Sequence, residues 1–142
     1  MSNRAIAYVS VTTARVSSEQ LWSLVEEAKR FNALAGVTGH LLFDGTRFLQ
    51  YLEGPEDGVH AAFERILISR SHLDVLQLCN GLVSGRTFAT PMSMTEIDGQ
   101  TFDALLAVDW NAFVRRGEAR PTALDLLATV ARAHVLPRGF SN

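Results

Sequence analysis

The sequence reads Gly36-Val-Thr-Gly-His-Leu-Leu-Phe-Asp-Gly-Thr-Arg-Phe-Leu-Gln-Tyr-Leu-Glu-Gly54 at the point that decides the fold. Two extended apolar segments, 37–43 and 47–53, flank the dipeptide Asp44-Gly45. Asp and Gly tolerate the positive φ angles that a tight turn requires, so this dipeptide between apolar runs predicts a β-hairpin. We expect the rest of the chain to pack on this hairpin.

The second strand of the hairpin carries a polar side chain on an apolar face. Side chains alternate between the two faces of a strand, so Phe48, Gln50 and Leu52 share one face. A buried amide without hydrogen-bond partners costs about 1–3 kcal/mol, so Gln50 must find partners if this face is covered. On the opposite face, Glu53 is expected at a solvated or turn-stabilising position.

Further strands and helices are predicted on both sides of the hairpin. A strand over 4–11 precedes a helix that Ser17 or Ser18 caps and that runs to about Leu34, before Gly36. Pro55 begins a second helix, and strands follow at 73–83 and 88–95, the latter interrupted by Pro91. Helices at 101–115 and 121–134 are expected to follow these strands.

The order βαββαββ predicts an α+β fold, a ferredoxin-like two-layer sandwich with both crossover helices on one sheet face. The C-terminal helices can lie on or near the other face, and a dimer contact is the competing possibility. In the first helix, Leu21, Val25, Ala28 and Asn32 recur at helical spacing. The apolar stripe of this helix therefore ends in a second uncharged polar group that faces inward.

The composition suits one globular domain and gives little support to nucleic acid, a membrane or a metal ion as a partner. The chain has 142 residues, 47% hydrophobic and 20% charged, and a formal net charge of −2. Such a balance does not favour nucleic acid or an anionic membrane, and no apolar run approaches the ~18 residues of a membrane span. We expect a cytoplasmic protein with no nucleic-acid partner and no membrane partner. The single Cys79 and four scattered histidines do not form a local metal motif.

Three sequence elements, in this order, resemble the BLUF family of blue-light sensors using flavin. They are Tyr8-Val9-Ser10, Asn32-Ala-Leu-Ala-Gly36-Val-Thr-Gly39 and Phe48-Leu-Gln50-Tyr-Leu52-Glu-Gly54. The resemblance spans about residues 5–94. It implies a flavin-binding domain at 1–98 and a C-terminal helical extension at 99–142 that packs on the same domain.

The resemblance also implies where a flavin binds and which side chains contact it. The cofactor would be FAD, with FMN or riboflavin possible, held without a covalent bond between the two helices that cover the sheet. Tyr8 and Gln50 would hydrogen-bond to each other beside the flavin ring, and Asn32 would hold its polar edge. The further flavin contacts implied are Phe31, Val25, Phe48, Arg70 and His72, and the signal-relay residues implied are Met92 and Met94.

In the mechanism implied by the family, light makes the flavin an oxidant toward Tyr8, and Gln50 ends rotated or tautomerised. The flavin itself is chemically unchanged, so the outcome is a switch of hydrogen bonds that biases a two-state element. With no output domain expected in this chain, the partner would be a separate downstream protein, or the protein would change its self-association as a homo-oligomer. The candidate surface for that contact is the sheet face bearing Val9, Leu49 and Tyr51, together with the terminal helices around Trp110 and Phe113.

The sequence departs from the family pattern at three places. The Trp of the usual Trp-x-Met element is replaced by Pro91 or Met92, the Asp-x-Arg-His element reads Ser69-Arg-Ser-His72, and Phe31 stands where a polar residue is commoner. The altered Trp-x-Met and Asp-x-Arg-His elements motivate an alternative, a non-photoactive interaction domain of the same fold that acts through oligomerisation. An enzyme has little support, because no nucleophile and base, phosphate loop or paired carboxylates stand at a telling spacing.

Taken without the resemblance, the same residues have structural explanations. Tyr8 is then a core tyrosine, Asn32 caps a helix and Gln50 serves a backbone carbonyl. Likewise His72 is a helix-end cation, and the two methionines fill the core.

Overall fold

The computed structural model describes residues 2–12, 16–69, 72–111 and 122–134, with the backbone alone at 2, 72, 73 and 134. The elements in chain order are β1 Ser2–Thr12, α1 Ser18–Ala35, β2 Thr38–Phe43, β3 Arg47–Gly54, α2 Glu56–Leu67, β4 His72–Ser84, β5 Ser93–Glu96, α3 Gly99–Leu106 and α4 Ala123–His134. The strands form one sheet in the order β4-β1-β3-β2-β5. Neighbouring strands run antiparallel except β2 and β5, which are parallel. The predicted α+β, ferredoxin-like sandwich is therefore confirmed.

The ends of α1 follow directly from the sequence. The Ser17 hydroxyl accepts a hydrogen bond from the Gln20 backbone N–H at 3.1 Å, and the Gln20 side chain accepts one from the Ser17 N–H at 2.9 Å. This reciprocal pair is a capping box, which satisfies donors that the first helical turn leaves free. At the other end, Gly36 has φ 74°, a left-handed conformation that stops the helix and turns the chain into β2.

The two faces of the sheet are covered by different helices. Helices α1 and α2 cover the face that presents Ile6, Tyr8, Phe48 and Leu52. Helices α3 and α4 cover the opposite face, which presents Ala5, Ala7, Leu42, Leu49 and Tyr51. The C-terminal helices α3 and α4 thus close the second face of the sheet. The sequence left this arrangement open beside a dimer contact. No helix in the described part of the chain is long and apolar enough to span a membrane.

This cover overturns the docking surface expected from the sequence. Leu49 and Tyr51 are fully buried because α3, α4 and the segment after α3 pack over them. Trp110 lies in that segment and is itself nearly buried. The Trp110 indole N–H also donates to the Leu105 carbonyl at 2.9 Å. Phe113 lies outside the described residues. The sheet face therefore contributes to the core and is not available as a partner surface.

Two predicted element boundaries are wrong. The last strand was expected over 88–95 but begins at Ser93, because Pro91 has no N–H for a strand ladder and the residues before it form a loop. Helix α3 was expected over 101–115 but ends at Leu106, with Ala107 as its cap. The expected continuation to residue 115 falls partly outside the described residues.

Candidate functional site

Tyr8 and Gln50 meet directly on the sheet. They are register partners on the antiparallel strands β1 and β3, and their side chains point to the face covered by α1 and α2. The Tyr8 hydroxyl donates to the Gln50 side-chain carbonyl oxygen. Both residues are buried. The partner that the buried amide requires is therefore a phenol on the neighbouring strand.

The other end of the Gln50 amide faces Met92. The Gln50 NH₂ group donates to the Met92 sulfur at 3.9 Å, a weak hydrogen bond. Met92 is itself buried and directly precedes β5. The amide thus connects the first strand, through Tyr8, with the start of the last strand.

Asn32 reaches the same loop from the helix layer. It lies in the last turn of α1, is 2% exposed, and donates from its side-chain NH₂ group to the Pro91 carbonyl at 3.0 Å. Asn32 and Gln50 therefore hold two consecutive residues, Pro91 and Met92. The three uncharged polar side chains that the sequence singled out lie on the same side of the sheet.

A cavity of about 280 Å³ lies between α1 and α2, over β2 and β3. This volume is close to the lower end of the range of roughly 300–1,000 Å³ for small-molecule sites. The wall is about half polar and half apolar, with Gln50 and Ser69 as uncharged polar residues, Glu27 as an acidic one and Arg65 as a basic one. The lining residues are Leu24, Glu27, Ala28, Leu41, Phe48, Gln50, Arg65, Ile66, Ile68 and Ser69.

The electrostatics of the site keep Tyr8 protonated. Burial raises the pKa of the Tyr8 phenol well above its usual value near 10, and the positive charge of Arg65 opposes this with a smaller effect. The phenol is therefore a neutral donor toward Gln50 at physiological pH. Arg65 also lies over the Phe31 ring, with 5.4 Å between the guanidinium carbon and the ring centre.

The structure places the predicted contact residues unevenly. Phe48 and Gln50 line the cavity, Val25 is buried in the core beneath α1, and Phe31 is half-buried against Arg65. Met94 is half-buried on the same face of the sheet as Met92. Arg70 lies outside the described residues, and His72 begins β4 with its side chain outside them. Their roles, like those of the other predicted contacts, stay predictions.

Sequence reasoning missed the charged lining of the cavity. Glu27 and Arg65 flank the apolar stripes of α1 and α2, next to Ala28 and Ile66 respectively. A charged residue beside a buried helical stripe usually belongs to a solvated face, so its type and position alone carry no signal for a ligand. What identifies the two residues is the packing of α1 beside α2, which the sequence does not display.

Of the two positions expected for Glu53, the solvated one is wrong, and the observed one is loop-stabilising with partners that the sequence did not predict. The side chain is fully buried and accepts hydrogen bonds from the backbone N–H groups of Thr87 and Phe88 at 2.6 and 2.7 Å. The Tyr51 hydroxyl donates to its other oxygen at 3.0 Å. Strand alternation placed Glu53 on the correct face, but the loop that covers it comes from a distant part of the chain.

His40 is a second buried polar residue, on the face opposite Gln50. Its ring nitrogens lie 2.6 Å from the Ser93 hydroxyl and 2.8 Å from the Thr95 hydroxyl, and the Phe88 ring stacks on it at 5.3 Å. Burial lowers the pKa of His40 to about 4. The neutral imidazole therefore ties β2 to β5 at neutral pH.

We predict that His40 makes the protein less stable as the pH falls from about 6.5 to about 4. In this range the unfolded chain binds a proton at His40 and the folded protein does not, so the loss is complete near pH 4 and amounts to roughly 3 kcal/mol. Urea unfolding of the wild type and of His40→Gln across this range measures the effect. The variant is expected to lose less stability on acidification.

His60 provides the matched control, because it is an exposed histidine on α2. A His60→Gln protein is expected to keep the full pH dependence of the wild type. An unchanged pH dependence in His40→Gln would contradict the assignment of the effect to the buried ring.

The fold and the site together define a small α+β domain with a neutral hydrogen-bonding site between two helices. Residues 4–95 match the family model described as BLUF, sensors of blue-light using FAD. The match covers more than half of the chain, so the chain belongs to the BLUF family, and the family predicted from its motifs is confirmed. The members of this family are flavin-using sensors of blue light.

Two curated relatives show how much of a longer protein such a region represents. The chain is 34% identical over 70 residues to the blue light- and temperature-regulated antirepressor BluF of Escherichia coli strain K12, covering 49% of this chain and 17% of that protein. It is 31% identical over 90 residues to photoactivated adenylate cyclase subunit beta of Euglena gracilis, covering 63% of this chain and 10% of that protein. The matched region is thus a small part of each relative.

Solved structures agree on the fold. The structure of the BlrP1 BLUF aligns with a TM-score of 0.65 and 26% identity, covering 97% of each chain. Klebsiella pneumoniae BlrP1 with FMN and cyclic diGMP aligns with a TM-score of 0.59 and 31% identity, covering 68% of this chain and 26% of that chain.

Proposed function

We propose that this chain is a blue-light photoreceptor module that binds a flavin without a covalent bond and signals by rearranging the hydrogen bonds between Tyr8 and Gln50. The observation that carries the proposal is the continuous chain from the Tyr8 phenol through the Gln50 amide to the Met92 sulfur, with Gln50 on the cavity wall. A phenol held neutral by burial and an amide with two different partners are the components such a switch requires.

The residues around the cavity fit a flavin. Leu24, Leu41 and Phe48 provide an apolar wall for a flat aromatic ring, and the Gln50 amide matches ring atoms that carry carbonyls and nitrogens. Asn32 is the second uncharged group proposed to hold the ring. Arg65 supplies a cation at the cavity, and a guanidinium pairs well with phosphate. These features support a phosphorylated flavin, FAD as in the family description with FMN as the alternative, over riboflavin.

The proposed switch rests on the asymmetry of the Gln50 amide. A bound flavin would supply a light-generated oxidant toward Tyr8. The electron and proton that Tyr8 gives up would return to it on recombination, so that only the orientation or tautomer of Gln50 differs afterwards. Gln50 now accepts from Tyr8 and donates to Met92. Rotation would turn the carbonyl oxygen toward the sulfur, and a carbonyl oxygen cannot donate to it. Tautomerisation would move one proton from the nitrogen to the oxygen and leave a single N–H on the side of the sulfur. The contact between Gln50 and Met92 therefore differs between the two states.

We further propose that this difference leaves the site through β5. Met92 directly precedes β5, Met94 lies within it, and α4 packs against the same strand. Residues 1–98 would then act as the sensor and 99–142 as a helical extension that reports its state. The receiver would be a separate protein or a second copy of the chain, whose association responds to light.

Illumination of purified, flavin-loaded protein tests the function. We expect a yellow protein whose absorption shifts slightly to the red under blue light and returns in the dark over repeated cycles. Release of the cofactor by denaturation, followed by chromatography, identifies the flavin. Protein that stays colourless after reconstitution with FAD and FMN, or bound flavin without a shift, contradicts the proposal.

One structural observation favours the second candidate, a non-photoactive interaction domain of the same fold. Asn32 and Gln50 already have protein partners in Pro91 and Met92, so both amides are satisfied without a ligand. Such a domain would form a stable oligomer and refuse flavin. The reconstitution above, combined with light scattering to measure the molar mass, separates the two functions.

A further inference from the structure

Residues 85–92 form a loop that joins the two cores on either side of the sheet. Phe88 packs in the core beneath α3 and α4, and its ring lies 5.3 Å from the His40 ring and 5.6 Å from the Tyr51 ring. Met92, at the end of the loop, packs in the core beneath α1 and α2. The loop therefore passes from one face to the other immediately before β5, and we refer to it as the crossover loop.

Glu53 is the principal anchor at the start of the crossover loop. One carboxylate oxygen accepts from the backbone N–H groups of Thr87 and Phe88 at 2.6 and 2.7 Å and from the Thr38 hydroxyl at 3.4 Å. The other accepts from the Tyr51 hydroxyl at 3.0 Å. Each of these backbone N–H and hydroxyl groups donates to the carboxylate. Hydrogen bonds to an ionised acceptor are roughly twice as strong as neutral ones.

Arg86 also holds the start of the crossover loop, through hydrogen bonds to two backbone carbonyls and one hydroxyl. Its guanidinium donates to the Gly36 carbonyl at 2.9 Å, to the Glu53 carbonyl at 3.3 Å and to the Thr38 hydroxyl at 3.0 Å. Thr38 thus receives a hydrogen bond from Arg86 and gives one to Glu53. The start of the crossover loop is held by a connected polar network that is partly buried beneath the loop.

Both ends of the crossover loop are tied to β3, on opposite faces. Glu53 holds the start on one face, and Gln50 contacts Met92 at the end on the other. When the contact at Met92 changes, a loop with a fixed start transmits the displacement toward β5, whereas a loop with a loose start absorbs it. The Gly39 N–H and the Asn32 amide also hold the carbonyls of Thr90 and Pro91. With Glu53 fixing the start as well, the change at Met92 is passed on toward β5 and not back into the loop.

We propose that Glu53 is a positioning residue for light signalling: its buried carboxylate fixes the start of the crossover loop so that a rearrangement of Gln50 moves Met92 and β5. The proposal rests on the proposed function of the Tyr8–Gln50 pair. Glu53 does not line the cavity, so its effect on the flavin is indirect.

Amide hydrogen exchange of the flavin-loaded protein, in the dark and under blue light, tests the proposal together with absorption spectra. In Glu53→Ala we expect dark exchange of the Thr87 and Phe88 amides to be about ten- to hundredfold faster, because both lose a charge-assisted hydrogen bond. The red shift is expected to remain. We expect a light-induced change in exchange at Ser93–Glu96 in the wild type, and we expect this change to disappear in Glu53→Ala.

Glu53→Gln and Glu56→Ala complete the test. The Gln variant keeps an oxygen for the two amides, so their exchange is expected to rise severalfold, less than in Glu53→Ala, and the light response of β5 is expected to survive in part. Glu56 lies on the surface in a pair with Arg4, and its removal deletes a carboxylate without touching the crossover loop. This control is expected to behave as the wild type.

The outcomes separate this proposal from the proposed function. A wild type without a red shift overturns the proposed function and this proposal with it. A wild type with a shift, together with a Glu53→Ala protein whose β5 still responds fully to light, overturns this proposal alone, since the residue is then only structural. If Glu53→Ala fails to fold, wild-type exchange of Thr87 and Phe88 in Glu53→Gln overturns it.

Discussion

Replacing Gln50 with Leu is expected to abolish the light-induced red shift while flavin remains bound. Leu fills a comparable volume on the cavity wall but has no donor or acceptor, so the connection between Tyr8 and Met92 is lost. The apolar wall formed by residues such as Phe48 and Leu41 is unchanged, so binding is retained. Difference spectra at equal flavin occupancy, recorded under saturating blue light, measure the loss.

Gln77 offers a closely matched control. It is the register partner of Tyr8 on the other neighbouring strand, β4, and it is exposed. A Gln77→Leu protein should therefore shift as the wild type does. A normal shift in Gln50→Leu would remove Gln50 from the mechanism, and loss of the shift in both variants would indicate a general effect on the sheet.

Replacing Gly39 with Ala is expected to be among the most destabilising single changes in the hairpin. A Cβ at this position would overlap the Tyr51 backbone carbonyl oxygen on β3, and a carbonyl within a strand ladder cannot swing away as a side chain can. Moving β2 would also strain the hydrogen bond from the Gly39 N–H to the Thr90 carbonyl. We expect a loss of about 3 kcal/mol or more, measured by urea unfolding.

Gly99→Ala is the control for the same chemical change. Gly99 begins α3, and an added Cβ there would meet only the Arg47 guanidinium at 3.8 Å, an ordinary contact. Alanine is also the better helix former, by ~1 kcal/mol in a helix interior. This variant is expected to match or exceed the wild-type stability. A Gly39→Ala protein within about 0.5 kcal/mol of the wild type would show that β2 and β3 approach less closely than the structure indicates.

The hairpin and α1 were predictable because their signals are local. Asp44 accepts hydrogen bonds from Thr46 and Arg47, as turn residues of its type do, and Phe43 pairs with Phe48 across the loop. Ser17 caps α1 and Gly36 ends it, as the sequence indicates. Each of these features is decided within a few residues, so reading the chain in short windows is sufficient.

The sequence predicted which polar residues form the candidate site, but only some of the contacts that these residues make. Alternation put Tyr8 and Gln50 each on one face of a strand, and the family resemblance paired them. Their hydrogen bond depends on the register between β1 and β3, which joins residues far apart in the chain. The loop partners of Asn32 and Glu53 could not be foreseen, since they lie on the crossover loop, most of which was expected to be a strand.

The sequence by itself determined the α+β order, the hairpin, the caps of α1 and the facing of the polar residues, because backbone preferences and side-chain periodicity act over short distances. Only the tertiary structure decided that α3 and α4 bury Leu49 and Tyr51, that Arg65 reaches the cavity, and that Glu53 lies beneath the crossover loop. These contacts join segments distant in the chain. Their geometry follows from strand register and helix packing, which no short window of residues contains.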